Sequence, residues 1–140
     1  MKNQLELDIK VPNQTLYLGL IGKIGEDIAY TLKNFKHNRD ELAYHINLVL
    51  TEAMANAIKH ANKNDPTKDV HITINVSEHN LCIKVYDQGQ GFDISKKNTL
   101  VAPDPQDDHG RGIFLINALM DSVTYQQCNT GHVLEMNKSI

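Results

Sequence analysis

The stretch that decides the fold is DQGQGF, residues Asp87–Phe92. An apolar run from Leu81 to Tyr86 leads into it and predicts a buried strand. Gly89 and Gly91 would let the backbone approach a ligand closely, because neither carries a Cβ atom. Asp87 ends the strand, and an ionised aspartate only accepts hydrogen bonds, which suits a donor such as the amino group of adenine. The same pattern is also a common turn after a strand, so by itself it leaves both interpretations open.

A second candidate is a polar pair on a helix that should begin at the capping residues Asn38 and Glu41 and run to about Ala61. Glu52 and Asn56 are four residues apart and therefore share one face of this helix. The amide oxygen of Asn56 is a neutral ligand that suits Mg²⁺. A carboxylate one turn earlier, that of Glu52, could polarise an attacking hydroxyl or water. The alternative is an ordinary solvated helix surface.

A third candidate is the run Gly110, Arg111 and Gly112, which directly precedes a short apolar helix from about Ile113 to Met120. Backbone N–H groups and the positive end of a helix dipole make such a turn an anion site. Arg111 could add charge-assisted hydrogen bonds. The alternative is a glycine-rich helix start with Arg111 in solvent. The chain has no G-x-x-x-x-G-K-[ST] motif, so it is not a P-loop protein.

The remaining patterns predict an α+β fold. Asp93 to His109 has no periodicity and predicts a long loop, of the kind that either forms a lid or is disordered. The full order suggests a two-layer α/β sandwich, with helices on one face of a mixed, largely antiparallel sheet. The other predicted elements are strands at about Leu5–Val11, Val70–Val76, Leu81–Tyr86, Ser122–Gln127 and His132–Asn137, and a first helix at about Leu18–Asn34.

Three glycines recur every third residue in the first predicted helix, at Gly19, Gly22 and Gly25. Their spacing indicates either a close-packed contact with another element or subunit, or a weak helix start with small residues. Glycine lowers helix propensity by about 1 kcal/mol relative to alanine, which favours the second interpretation.

Length and charge exclude several classes of protein. The chain has 140 residues, which fits a single domain spanning residues 1–140. Its net charge of -3 lacks the excess of basic residues that is typical of nucleic-acid-binding proteins, so nucleic acid is not expected as a direct partner. No stretch approaches the roughly 20 apolar residues of a membrane span. Cys82 and Cys128 have no metal or redox spacing, and we expect a cytoplasmic protein with reduced thiols.

Each of the three candidate motifs is unspecific alone, but together, in this order and spacing, they resemble a known family. Glu52-x-x-x-Asn56, then Asp87-x-Gly89-x-Gly91, a long loop and Gly110-x-Gly112 resemble the N box and two glycine boxes of the GHKL (Bergerat-fold) ATPases. The stretch TEAMANAIKHA, residues 51–61, is similar to the pattern E-A-x-x-N-A-x-x-H-A of the RsbW-like anti-sigma factor serine kinases. GRGIFLI, residues 110–116, resembles the second glycine box of that group.

The resemblance implies a protein serine/threonine kinase that uses ATP and Mg²⁺. Its protein substrate would be a STAS-domain anti-anti-sigma partner, and it would bind a sigma factor in the alternative complex and form a homodimer. Other interpretations are a nucleotide-dependent module that sequesters a partner without phosphotransfer, and a histidine kinase catalytic fragment. The implied roles are Glu52 as catalytic base, Asn56 on Mg²⁺, Asp87 on adenine, Gly89 and Gly91 near the nucleotide, and Gly110, Arg111 and Gly112 near the phosphates.

Overall fold

A computed structural model describes residues 4–33, 35–91 and 108–140, with residues 108–111 described in their backbone alone. The strands are β1 (Leu5–Pro12), β2 (Asp69–Val76), β3 (Asn80–Asp87), β4 (Ser122–Cys128) and β5 (Gly131–Ser139). The α-helices are α1 (Leu18–Thr31), α2 (Arg39–Asn56) and α3 (Asp108–Leu119). A 3₁₀ turn, Thr15–Tyr17, precedes α1, and a π-helical turn, Ala57–Ala61, continues α2.

The five strands form one sheet in the order β1-β2-β3-β5-β4. Each pairing between neighbours is antiparallel, so the predicted α+β sandwich is confirmed, with a sheet that is wholly antiparallel in the part described. The last strand, β5, lies between β3 and β4 rather than at an edge. As a result, Asp87 at the end of β3 pairs with His132 at the start of β5.

One face of the sheet is buried and the other is not. Side chains of β2 and β3 alternate strictly between buried and half-buried positions, as an antiparallel strand with one covered face requires. The buried set joins the helices in one hydrophobic cluster. Asp87 occupies the next position in this alternation after Leu81, Ile83 and Val85, so the strand itself directs a carboxylate into the covered face.

The helix α1 packs directly against α2 through two of its three spaced glycines. A Cβ atom at Gly25 would lie 2.6 Å from Leu50 Cδ1, and one at Gly22 would lie 2.6 Å from Asn47 Oδ1. Gly19 has no neighbour within 4 Å of such an atom. The close-packed interpretation is therefore correct for Gly22 and Gly25, and their contact is with α2 of the same chain.

The predicted start of α2 is confirmed, because the Asn38 side chain accepts a hydrogen bond from the Glu41 N–H at 3.1 Å. Its apolar residues recur at helical spacing, and this stripe is buried along the whole helix and into the π-helical turn: Leu42, Ile46, Val49, Leu50, Ala53, Ala57 and Ile58. That turn is closed by the Asn62 N–H, which donates to the Ala57 carbonyl oxygen at 2.8 Å. The predicted end near Ala61 is thus right, although the last turn is wider than an α-helical one.

The helix α3 begins at Asp108, several residues before the predicted start. Gly110 to Gly112 therefore lie within its first turns, rather than in a turn that precedes a helix. Most of the predicted lid lies outside the described residues, because residues 92–107 are not described. Phe92, Asp104 and Asp107 belong to that range. No helix in the described ranges is both long and apolar enough to span a membrane.

Candidate functional site

Glu52 and Asn56 line the same cleft, one turn apart on α2. Asn56 is only 3% exposed, and its Nδ2 atom has no hydrogen-bond partner in the described part of the chain. A buried amide left unpaired costs about 1–3 kcal/mol, so this group indicates a place where a ligand completes the site. Rotation of the amide by 180° would present Oδ1 in place of Nδ2 at this position. The cleft has a volume of about 460 Å³ and is lined by Leu18, Thr51, Glu52, Ala55, Asn56, Lys59, His60 and Leu115.

Gly112 brings α3 against this pair. A Cβ atom at Gly112 would lie 2.8 Å from Glu52 Oε2 and 3.3 Å from Asn56 Nδ2. Because real Cβ atoms essentially never come within 3.0 Å of another heavy atom, a side chain at position 112 would displace the Glu52 carboxylate. The structure therefore places Glu52, Asn56 and Gly112 together. The backbone of Gly110 and Arg111 belongs to the same first turns of α3, but the Arg111 side chain lies outside the described part.

Asp87 forms a second polar centre, at the end of β3. Its carboxylate is 2% exposed and accepts a hydrogen bond from the Gly89 N–H at 3.0 Å and from the Tyr125 hydroxyl at 2.7 Å. An ionised carboxylate can accept about four hydrogen bonds, so these two donors leave acceptor capacity unused. A buried charge with spare acceptor capacity suits a ligand that brings a further donor.

The backbone at Gly89 packs against the end of the π-helical turn. A Cβ atom there would collide with the Ala61 carbonyl group and crowd the Asn62 nitrogen, so no other residue fits without moving backbone. The neighbouring Gln88 N–H donates to Asn62 Oδ1 at 2.8 Å. These contacts connect the helix that carries Asn56 directly to the strand end that carries Asp87.

Asn62 is the centre of a buried amide network. It is fully buried, and its Nδ2 donates to Asn13 Oδ1 at 3.1 Å. Beside it, the exposed Gln88 side chain accepts a hydrogen bond from the Asp69 N–H at 2.7 Å. Buried amides that satisfy one another favour one arrangement of the chain. The contacts of Asn62 therefore stabilise the junction between the helix that carries Asn56 and the strand end that carries Asp87.

Gly91 lies against Tyr125 and His132, the two aromatic residues beside Asp87. It has a φ of 79°, in the left-handed region that favours glycine. A Cβ atom at Gly91 would also lie 2.7 Å from the Tyr125 hydroxyl and 2.8 Å from a ring atom of His132. Both the conformation and the space therefore require glycine at this second position of the DQGQGF stretch.

Three residues of this arrangement were not predicted from the sequence: Asn62, Tyr125 and His132. Tyr125 shares the strand face of Val123, and His132 that of Leu134, so their alternation could have placed them on the covered side. Their closeness to Asp87 could not have been found in that way, because it depends on β5 lying between β3 and β4.

The two-layer sandwich, with these polar centres on its helix-covered face, is a GHKL ATP-binding fold. The family described as "Histidine kinase-like ATPase domain" matches residues 24–138. Serine-protein kinase RsbW of Bacillus subtilis (strain 168) is 31% identical over 146 residues, covering 99% of this chain and 88% of that protein. The protein of the same name from Oceanobacillus iheyensis is 27% identical, covering 100% of this chain and 90% of that protein. The chain therefore belongs to the histidine kinase-like ATPase family, and within it to the RsbW-like group.

Proposed function

We propose that the protein is an ATP-dependent serine/threonine kinase that acts as an anti-sigma factor and phosphorylates a STAS-domain antagonist. The observation that carries the proposal is the contact of Gly112 with Glu52 and Asn56, beside the unpaired amide of Asn56. The similarity to relatives named serine-protein kinase over nearly the whole chain supports the same reaction. The partners, the homodimer, the single domain over residues 1–140 and the cytoplasmic location remain predictions.

Glu52 is the proposed catalytic base. Its carboxylate borders the cleft, and it would take the proton of an attacking serine or threonine hydroxyl. Gly112 limits where that carboxylate can lie, because the backbone of α3 passes beside Oε2. Positioning of this kind suits phosphoryl transfer, which asks for little covalent chemistry from the protein.

Asn56 is the proposed Mg²⁺ ligand. Mg²⁺ needs oxygen ligands and accepts a single protein side chain beside water and phosphate oxygens. Asn56 would bind it through Oδ1, with the amide rotated from the orientation that leaves Nδ2 unpartnered. When bound, Mg²⁺ supplies charge neutralisation at the phosphate groups. Gly110, Arg111 and Gly112 are proposed to lie near those phosphates, because they fall in the first turns of α3, close to the positive end of its dipole.

Asp87 is the proposed adenine contact. Its unused acceptor capacity can take a hydrogen bond from the exocyclic amino group, while Gly89 and Gly91 keep the backbone free of side chains beside it. The Gln88 N–H beside Asp87 donates to Asn62 Oδ1, which connects this end of the site to the helix that carries Asn56. The two centres would then bind opposite ends of one nucleotide.

Calorimetry with ATP and Mg²⁺ tests the nucleotide site. We expect the wild type to bind, and Asp87→Asn to lower the affinity about tenfold or more, since a hydrogen bond to a charged group is lost. Asn56→Ala should weaken binding in Mg²⁺ more than in EDTA. Asn129→Ala, in an exposed turn, is the matched control and should bind as the wild type does. A wild type that does not bind ATP would contradict the proposal.

Transfer of phosphate to a STAS-domain protein of the same organism tests the kinase assignment. Glu52→Ala should abolish transfer while nucleotide still binds. Glu41→Gln, an exposed glutamate on the same helix, should leave transfer unchanged. If the wild type binds ATP and the STAS-domain protein but transfers no phosphate, the protein is a nucleotide-dependent sequestering module instead.

A further inference from the structure

Three neighbouring strands bring three polar side chains together at one end of the sheet. Asp87 lies on β3, His132 pairs with it from β5, and Tyr125 lies on β4. The Tyr125 and His132 rings are stacked, with centroids 5.1 Å apart and an interplanar angle of 12°. All three lie on the face that the helices cover, where Asp87 is buried and the two rings are half-buried.

The two oxygens of Asp87 have different surroundings. Oδ2 accepts from the Tyr125 hydroxyl, and Oδ1 accepts from the Gly89 N–H. His132 Nδ1 lies 3.7 Å from Oδ1, too far for a hydrogen bond, and it is buried without a partner among the described residues. Within the described ranges, the hydroxyl of Tyr125 is therefore the side-chain donor that holds the carboxylate in its orientation.

We infer that Tyr125 is a positioning residue that sets the base preference of the nucleotide site, and that the stacked His132 ring holds it in place. This inference rests on the proposed contact between Asp87 and the base. It adds the hydroxyl that keeps the Asp87 carboxylate turned toward the base. An acceptor-only group binds the amino group at position 6 of adenine and repels the carbonyl oxygen found there in hypoxanthine or guanine.

Removal of the hydroxyl should weaken this discrimination. The carboxylate loses a fixed partner at Oδ2 and can turn away from the base. Loss of that orientation penalises adenine, which donates to the carboxylate, more than hypoxanthine, whose carbonyl oxygen is repelled by it. A tyrosine that only fills space would, when changed, affect both bases equally.

The test compares ADP with inosine diphosphate, which carries a carbonyl oxygen in place of the amino group and an N–H in place of the acceptor nitrogen at position 1. We expect wild-type protein to favour ADP by about tenfold or more in calorimetry, as a hydrogen bond to a charged acceptor implies. Tyr125→Phe keeps the ring and its stacking, and should lower that ratio by about threefold or more. His132→Ala removes the ring on which Tyr125 stacks, and should lower the ratio in the same direction.

The matched control is Tyr86→Phe. Tyr86 directly precedes Asp87 on β3 and also stacks on a histidine, His71, with centroids 5.0 Å apart, but it lies on the opposite face of the sheet. The same change of hydroxyl to hydrogen there should leave the ADP preference unchanged. Circular dichroism and thermal unfolding of each variant would verify that it is folded.

The outcomes separate this inference from the proposed function. If the wild type binds neither nucleotide, the proposed function fails, and the inference fails with it. If the wild type favours ADP, Asp87→Asn abolishes the preference, and folded Tyr125→Phe keeps it, the role of Tyr125 is wrong while the nucleotide site stands. An equal loss of affinity for both nucleotides in Tyr125→Phe would likewise overturn the inference, because it would mark a purely structural role.

Discussion

Replacement of Gly112 by alanine should separate catalysis from folding. The added Cβ would lie 2.8 Å from Glu52 Oε2, whereas ordinary contact begins at 3.4 Å, so the carboxylate must retreat by about 0.6 Å. Asn56 Nδ2, at 3.3 Å, is almost at ordinary contact already. The change therefore displaces the proposed base and leaves the proposed metal ligand nearly in place.

The expected loss of rate follows from that displacement. A misplacement of about 1 Å in an active site can reduce the rate by roughly 100-fold, so a shift of about 0.6 Å should lower kcat by about tenfold or somewhat more. Stability should not fall, because alanine within a helix is favoured over glycine by about 0.5–1 kcal/mol. The obstructed atom is also the end of a flexible side chain, which can move at little cost.

The assay is phosphate transfer from ATP to the STAS-domain partner, with kcat and KM for ATP measured for Gly112→Ala. Urea unfolding gives the stability. Gly19→Ala is the matched control, since a Cβ atom there meets nothing within 4 Å. In a Glu52→Gln background, Gly112→Ala should cause no further loss of kcat, because its effect passes through the carboxylate. A kcat within twofold of the wild type would refute the reasoning, and so would a marked loss of stability.

Three further predictions concern the scaffold around the site. Gly89→Ala should lower the free energy of unfolding by about 2–3 kcal/mol, because its Cβ would meet the Ala61 carbonyl group, and backbone yields less easily than a side chain. Asn62→Ala should cost about 2–4 kcal/mol in urea unfolding, because it leaves buried hydrogen-bonding groups unpaired. Asp121→Asn should reduce the loss of stability in acid. The Ser139 N–H donates to Asp121 Oδ2 at 2.6 Å and lowers the pKa of that carboxyl below its usual value. The stability that this bond adds is complete above the pKa of an unfolded aspartate, about 3.9. It is lost as the pH falls through the lower pKa of the folded state.

Controls are available in the same chain. Gly19→Ala, with open space around it, should be neutral or slightly stabilising where Gly89→Ala is not. Asn129→Ala should have a small effect beside that of Asn62→Ala, because Asn129 is exposed. An Asp121→Asn variant with the same acid dependence as the wild type would show that the carboxyl contributes nothing to it.

Local pattern predicted most of the secondary structure. Strict alternation in β2 and β3 located a covered face, because successive side chains of a strand point to opposite sides. The Asn38 cap and the apolar stripe of α2 were equally readable, since both depend on neighbours within a few turns of one helix. The beginning of α3 was not, because Asp108 to Gly112 carry no apolar periodicity that would mark a helix.

The sequence alone determined the residue types at the site. Glu52, Asn56, Asp87 and the glycines could be singled out, because their spacing reflects helix and strand geometry close to each residue. Only the tertiary structure decided what each of them touches. Placement of β5 between β3 and β4 sets Tyr125 and His132 beside Asp87, and the packing of α3 on α2 sets Gly112 against Glu52. Both contacts join residues that are far apart in the sequence. They arise because the helices and strands pack together to bury one face of the sheet, and a short stretch of sequence cannot show how distant elements pack.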